Sequence, residues 1–522
     1  MKKVLFALIG SNKAGMKPPA VSILCAVMKR AGHEVVYFDS TFMDMGLSLH
    51  TAEHKALKAF KEVKDARYDY EREKKPCARE EFRRVLKQEK PDVIACTCVT
   101  DMYRPTIEFL NLAREITSAP TIIGGVHATL NPEEVIAEDV VDAVCVAEGE
   151  EALLEFLDAV EGTRILRTDI RNLWIKRDGE VYKNSVRPLV DLDSLPYMDY
   201  SIYDSRHFHR PFMGKIYIGG DVLEKRGCPR KCTYCANSRL NEIYDRSRVN
   251  RYSPERFVEE MIYLQKTWGI TFCKFYSEDI ASVPTDTLAK LSELYHDKVN
   301  IPFTAGAHPQ SLNKEKVRLL KHMNCASISI ALECGNEHYR SKILKRNYSN
   351  NLLNEKLRLL QDAGIRVHLL TMIGLPFESR KMIFETIEAA RKTHSDHVDG
   401  VCYFPYRGTP LGDLCIEQGF ISRERLNDPK TVFKIATSHL RMPQIDHREV
   451  EAIRRMWNYY IEGPRWMFPL AYLCEKNTVV EKALTPVLDK TLDLHKNLNN
   501  RLIRLGLKKN RAKTEAKAVQ HV

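Results

Sequence analysis

The sequence predicts an α/β protein: a doubly wound, Rossmann-like parallel sheet, then an open parallel barrel, then a helical C-terminal region. Three patterns carry that expectation. From Lys2 onward, short β-branched runs alternate with amphipathic stretches, the rhythm of parallel sheets covered by helices on both faces. From Lys215 a second series runs through six strand–helix units, two short of a closed TIM barrel. After about Ile421 the strand signal stops and helical periodicity takes over. At 522 residues, 44% hydrophobic and 29% charged, the chain is too long for one compact core, and two or three domains are expected.

The first series, residues 1–162, reads VLFALIG, PPAVSILCAVMKRAG, EVVYFD, DVIACTC, RPTIEFLNLAREI, PTIIGG, a short helix near Asn131 to Glu138, AVCVAEG and EALLEFLDAVE. The stretch from about His54 to Lys90 is long and charged for a single crossover, so it is expected to be an extended helix or a solvent-facing insertion. Residues 163–210, with an Asp178-Gly179 turn signal, are expected to form a hairpin and linker between domains. The barrel, residues 211–420, takes its six strands from KIYIGGDV, TFCKFYSE, IPFTAGAH, ASISIALE, RVHLLTMIG and HVDGVCYFP. Residues 421–505 read as helices, and 506–522 as a basic, disordered tail. The run Trp466 to Leu473 is expected to be a buried helix, with a cover over a hydrophobic substrate as the second reading.

Composition narrows the function classes. No run approaches the roughly 20 apolar residues that cross a bilayer, and the Lys2-Lys3 start leads directly into a strand, so a cytoplasmic location is expected. Of the 14 cysteines, Cys25, Cys145, Cys273, Cys325 and Cys402 lie singly in apolar segments, where a thiol behaves as a small hydrophobe. Between Lys496 and Lys517 there are eight basic residues and one acid, Glu515, which reads as a solvated end and not as a nucleic-acid site.

One cysteine cluster demands chemistry. Cys228, Cys232 and Cys235, in CPRKCTYC, follow the first barrel strand and therefore sit at the barrel's C-terminal, active end. A four-iron cluster normally takes four thiolates, so three leave one iron open to a ligand the protein does not supply. An amino acid's amine and carboxylate can chelate that iron and bring a sulfonium within electron-transfer range. The competing account is a structural zinc ion with His207 or His209 as fourth ligand, but zinc sites usually pair two cysteine knuckles, and a second Cys-x-x-Cys does not occur.

CPRKCTYC resembles the C-x₃-C-x-aromatic-C signature of the radical SAM superfamily. ALECGNEHYRSKILKRNYS, TMIGLPFES and YFPYRGTPLGDL resemble the fourth, fifth and sixth strand regions of that superfamily. The resemblance implies a [4Fe-4S] cluster on Cys228, Cys232 and Cys235 and bound S-adenosylmethionine (SAM). Tyr234, the aromatic residue before the third cysteine, can stack on an adenine, and the resemblance places Glu333 at the ribose or methionine end, Arg346 at a carboxylate, and Gly374 to Glu378 along the adenine side. The glycine-glycine-glutamate motif that many members carry after the second strand is replaced by Phe275-Tyr276-Ser277-Glu278-Asp279.

The N-terminal domain lacks the G-x-G-x-x-G turn of dinucleotide binders. Ahead of such a barrel it resembles the cobalamin-binding domain of B12-dependent radical SAM enzymes, through Pro18, Gly124, Gly125, His127, Glu148 and Gly149. D-x-H-x-x-G, which supplies an axial histidine in the best-known cobalamin domains, does not occur, so His127 is expected to touch the nucleotide tail or start a helix. The resemblance extends from Lys2 to about Phe420.

These features imply a cobalamin-dependent radical SAM methyltransferase. One SAM remethylates cobalamin, a second yields a 5′-deoxyadenosyl radical that abstracts hydrogen from an unactivated carbon of a small-molecule or lipid-like substrate, and cobalamin delivers the methyl. A reductant protein such as flavodoxin or ferredoxin is the implied partner. The alternatives are radical cyclisation or oxidation of the porphyrin-ester cyclase kind, a methylthiotransferase, and a cobalamin sensor. The methylthiotransferase needs three further N-terminal cluster cysteines, whereas Cys25, Cys96 and Cys98 lie inside apolar patterns.

Overall fold

A computed structural model describes residues 1–10, 15–45, 75–245, 249–428, 431 and 434–504. Its first sheet takes five parallel strands, β1 Lys3–Leu8, β2 Glu34–Asp39, β3 Val93–Thr97, β4 Thr121–Gly124 and β5 Ala143–Cys145, in the order β2-β1-β3-β4-β5. Val4, Leu5, Phe6 and Ala7 are all buried, because helices cover both faces and leave no polar side to alternate with. The order reverses between β1 and β3, and ligands of open α/β sheets bind in the crevice at the strands' C-terminal ends beside such a switch.

The interdomain hairpin, β6 Leu173–Arg177 and β7 Glu180–Lys183, is not free-standing. β6 pairs antiparallel with β5 and makes the first sheet a mixed one of seven strands. Leu173 and Ile175 are fully buried there, and the hairpin closes an edge that a parallel sheet would leave unpaired. Of the charged stretch from about His54 to Lys90, Ala78–Glu89 is a helix that buries Phe82 and Leu86; residues 54–74 of that stretch lie outside the described residues, as does the basic tail.

The second sheet opens with an antiparallel edge strand, β8 His209–Phe212, and continues with six parallel strands in chain order: β9 Lys215–Val222, β10 Phe272–Phe275, β11 Phe303–Ala307, β12 Cys325–Glu333, β13 Arg366–Ile373 and β14 His397–Cys402. β9 and β14 do not pair, so the sheet curls into an open barrel. The helical region packs on its last strand. A Cβ at Gly400 would lie 2.3 Å from Trp457 Cε2, so only glycine admits that indole, whose Nε1 donates to the Val398 carbonyl at 3.2 Å. The Trp466–Leu473 run is amphipathic rather than buried throughout: Met467 and Ala471 are covered, while Trp466, Tyr472 and Leu473 face solvent. No helix among the described residues is long and apolar enough to cross a membrane.

Candidate functional site

The cysteine loop is built by its neighbours. Asn241 Nδ2 donates to the Cys228 carbonyl at 3.0 Å, and Cys235 N donates to the Cys232 carbonyl at 3.1 Å. Thr233 donates through Oγ1 to the Ile343 carbonyl at 2.7 Å, tying the loop to the segment after β12. Cys228 and Cys232 are buried and Cys235 is partly open, at the start of the helix Ala236–Ile243.

Three of the residues predicted to meet SAM converge on this loop. Tyr234 Oη donates to Glu333 Oε1 at 2.6 Å, Arg346 Nη1 lies 3.2 Å from Tyr234 Oη, and the same nitrogen lies 3.5 Å from Cys232 Sγ. Arg346 is aimed by two further contacts, Nη2 to the Ala331 carbonyl at 3.1 Å and Nε to Tyr348 Oη at 3.3 Å. Glu333 closes β12 at a left-handed φ of 61°, and burial pushes its carboxyl upward. A buried Tyr–Glu–Arg chain beside a thiolate loop presents hydrogen-bonding groups and one cation to a polar ligand in a low dielectric.

Gly374 and Glu378 lie apart from that chain and serve one another. Glu378 Oε2 accepts from the Gly374 and Leu375 amides, at 2.6 and 3.1 Å, and burial pushes its carboxyl up to about 8. In the segment that stands for the missing glycine motif, Glu278 lies 3.4 Å from Asn237 Nδ2 and 3.6 Å from Lys225 Nζ, and the same Asn237 nitrogen lies 3.8 Å from Cys235 Sγ.

The zinc alternative fits poorly. His207 Nδ1 faces the Gly15 carbonyl at 3.2 Å and Nε2 faces Asp39 at 3.2 Å, within the contact to the N-terminal domain. Three thiols held on one loop, two buried and one partly open, fit an iron–sulfur cluster that takes three protein thiolates and leaves one iron to another ligand.

In the N-terminal domain, Gly125 has φ 96°, and a Cβ there would lie 2.7 Å from the Cys98 carbonyl oxygen, so only glycine lets the β4 turn close against β3. His127 points inward. Its ring lies tilted against Tyr103 with centroids 4.3 Å apart, Nδ1 meets Thr100 Oγ1 at 3.2 Å, and burial with Arg407 and Arg104 pulls the imidazole down to about 3, so it is neutral. Its buried Nε2 has no hydrogen-bond partner among the described residues. With the glycine turn and the exposed Val99 after β3, this gives the C-terminal ends of β3 and β4 a backbone floor, an apolar lip and a spare buried nitrogen, which fit a large flat ligand carrying a polar tail. Pro18 opens the helix Pro19–Arg30 at the same end.

Glu148 and Gly149 take a different place. Gly149 starts the helix Glu150–Ala159, and Glu148 accepts from the Val190 amide at 2.9 Å and from Arg226 at 3.3 Å. Arg226, which motif reading passed over, also donates to Glu150 at 2.6 Å and stands two residues before Cys228. Lys17, equally unmarked in the sequence, is fully buried and donates to the His207 and Gly219 carbonyls at 2.9 and 2.7 Å. Arg407 meets Glu134 at 2.6 Å, so the domains are stitched at the end that carries both candidate sites.

Residues 225–390 match the family model of the radical SAM superfamily, and residues 7–157 that of the B12 binding domain. The chain is 24% identical over 344 residues to an uncharacterized methyltransferase of Pyrococcus horikoshii, covering 65% of this chain and 72% of that one. It is 25% identical over 417 residues to the anaerobic magnesium-protoporphyrin IX monomethyl ester cyclase of Cereibacter sphaeroides, covering 77% of this chain and 61% of the relative. The solved structure of the radical SAM methyltransferase TsrM of Kitasatospora setae, with cobalamin and a [4Fe-4S] cluster bound, shares the fold at a TM-score of 0.58 and 17% identity, over 81% of this chain and 79% of that one.

Proposed function

We propose, from the premise that this chain is a radical SAM enzyme with an N-terminal B12 binding domain, that it methylates an unactivated carbon of a small-molecule or lipid-like substrate. The reading rests most on the cysteine loop: three thiols at the mouth of an open barrel, with Arg346, Tyr234 and Glu333 hydrogen-bonded beside them. The methyltransferase kinship of the Pyrococcus relative favours methylation, and the cyclase kinship keeps radical cyclisation as the second reading.

Cys228, Cys232 and Cys235 would hold a [4Fe-4S] cluster, and the crevice at Gly124, Gly125 and His127 would hold cobalamin. When bound, these groups supply one-electron reduction of the SAM sulfonium and methyl transfer. The chain's own residues orient the reactants. Arg346 sets a positive charge against the Cys232 sulfur, Glu333 and Tyr234 offer an acceptor and a donor to the SAM sugar or methionine end, and Glu278 stands where a carboxylate can meet an ammonium. Glu378 holds the Gly374 turn in shape for the adenine side. Arg226 clamps the two domains together directly before the cysteine loop. A low-potential protein such as a flavodoxin or ferredoxin would deliver the electron, and the setting is cytoplasmic.

Anaerobic reconstitution with iron, sulfide, cobalamin, SAM and reductant is the test. Release of 5′-deoxyadenosine, about four irons per chain, and loss of both on replacing the three cysteines by alanine support the reading. Binding of zinc in place of iron, or turnover that survives the triple replacement, overturns it. With substrate, a mass gain of one methylene separates methylation from cyclisation.

A further inference from the structure

Beyond the cysteine loop, the inner face of the barrel carries a second cluster of metal-binding side chains. His368 on β13 and His397 on β14 are register partners, and Asp399 lies two residues further along β14 on the same face. His368 Nε2 lies 2.8 Å from Asp399 Oδ2, and His397 Nε2 lies 2.7 Å from Asp399 Oδ1. All the potential ligand atoms fall within 4.8 Å of one another, and among the described residues no other three His, Cys, Asp or Glu groups do so.

The strands settle which way these side chains face. Val367, Leu369 and Val398 alternate with them and are buried against the helical layer, where Trp457 covers Gly400. The triad therefore faces the barrel lumen, with side chains 19% to 30% exposed to it. On the neighbouring strand, Ser329 Oγ lies 3.4 Å from His368 Nδ1. A metal-ligating histidine characteristically donates its second ring N–H to such an acceptor, which turns the other nitrogen to the ion.

We propose that His368, His397 and Asp399 form a binding site for a divalent transition-metal ion inside the barrel, separate from the cysteine loop. Two imidazoles and one carboxylate on adjacent paired strands make a three-ligand face that suits zinc or iron(II) and leaves further positions open to the lumen. Those positions would take water, since the triad sits toward the N-terminal ends of β13 and β14, away from the cysteine loop at the barrel's mouth. Metal binding exchanges the two Nε2–H···O hydrogen bonds for three metal–ligand bonds, and one proton leaves each Nε2 or moves to its Nδ1. The proposal stands independently of SAM cleavage, because no cysteine takes part.

The test uses the full chain with its iron–sulfur cluster rebuilt, incubated with Zn²⁺, desalted and assayed for zinc and iron together. About one zinc per chain above the iron content is expected. Asp399→Asn and His397→Asn should each keep the iron content, which reports an intact fold, and weaken zinc binding by at least about tenfold. Equal zinc in wild type and both variants, or none in wild type, overturns the site. As a second readout, the Cys228→Ala, Cys232→Ala, Cys235→Ala triple variant should bind Co²⁺ with visible ligand-field bands and without thiolate charge-transfer absorption. Absence of Co²⁺ binding in that variant also overturns it.

Discussion

Arg226 and Glu150 form a buried ion pair, 2.6 Å apart, that crosses from the barrel to the N-terminal domain just before the cysteine loop. Glu148 shares the same guanidinium at 3.3 Å. Removing one member of such a pair strands the others as uncompensated buried charges, at a cost of about 3–5 kcal/mol. Arg226→Ala should therefore lower the midpoint of chemical unfolding and reduce iron retention together. In the Arg226→Met, Glu150→Gln double variant, much of the lost stability should return, because fewer charges are left buried. An Arg226→Ala protein as stable as wild type would show that the clamp carries no energy.

Arg346 gives a prediction that folding alone does not move. Its Nη1 is 3.5 Å from Cys232 Sγ, and donors or positive charge beside cluster sulfurs raise the reduction potential. Arg346→Gln should leave the iron content near wild type, shift the cluster potential to more negative values in an EPR-monitored titration, and slow 5′-deoxyadenosine release on the order of 100-fold. Arg346→Lys keeps the charge and loses the fork that also reaches Tyr348 and the Ala331 carbonyl, so it should fall between the two.

Glu378 sets a pH dependence of stability. Burial pushes its carboxyl from an ordinary 4.5 up to about 8 in the folded chain. The unfolded chain thus ionises first: the neutral group's stability is fully present below about pH 4.5, is lost as pH rises, and reaches a plateau above pH 8. The full difference is on the order of 5 kcal/mol. Glu378→Gln still accepts from the Gly374 and Leu375 amides and never ionises. It should match wild type near pH 4 and exceed it progressively toward pH 9 in denaturant melts; a gap that does not grow with pH would contradict this account.

What the sequence made legible is what local pattern encodes. The six barrel strands and the cysteine loop were readable because apolar periodicity and cysteine spacing are properties of short windows. The Asp178-Gly179 hairpin was visible too, but not that Leu173 and Ile175 would seal the edge of the first sheet, since a turn signal does not name the strand's other neighbour. The edge strand His209–Phe212 carries Pro211 and little β-branched character, and pairing on one side only makes that tolerable. Arg226 with Glu148 and Glu150, 78 and 76 residues apart, and His368 with Asp399, 31 apart, come together only through parallel-strand register and domain docking. Glu148 was marked in the sequence for cobalamin, yet its carboxylate is engaged by Arg226 and the Val190 amide, a partnership no motif encodes.

Gly125 separates the two cofactor sites experimentally. Its φ of 96° is strained for any side chain, and a Cβ would press on the Cys98 backbone and on Thr97 Oγ1, both under 3.0 Å. The β4 turn that forms the crevice floor must then open, whereas the hydrogen bonds that shape the cysteine loop, from Asn241 to the Cys228 carbonyl and from Thr233 to the Ile343 carbonyl, lie wholly within the barrel domain. Gly125→Ala should destabilise the N-terminal domain by about 1–3 kcal/mol and lower cobalamin retention after gel filtration. Iron content and the electronic spectrum of the cluster should stay near wild type. Should cobalamin remain bound at the wild-type level despite a measurable loss of stability, the ligand lies elsewhere than in the Gly124–Gly125 crevice, and the B12 site must be sought along another strand end of the first sheet.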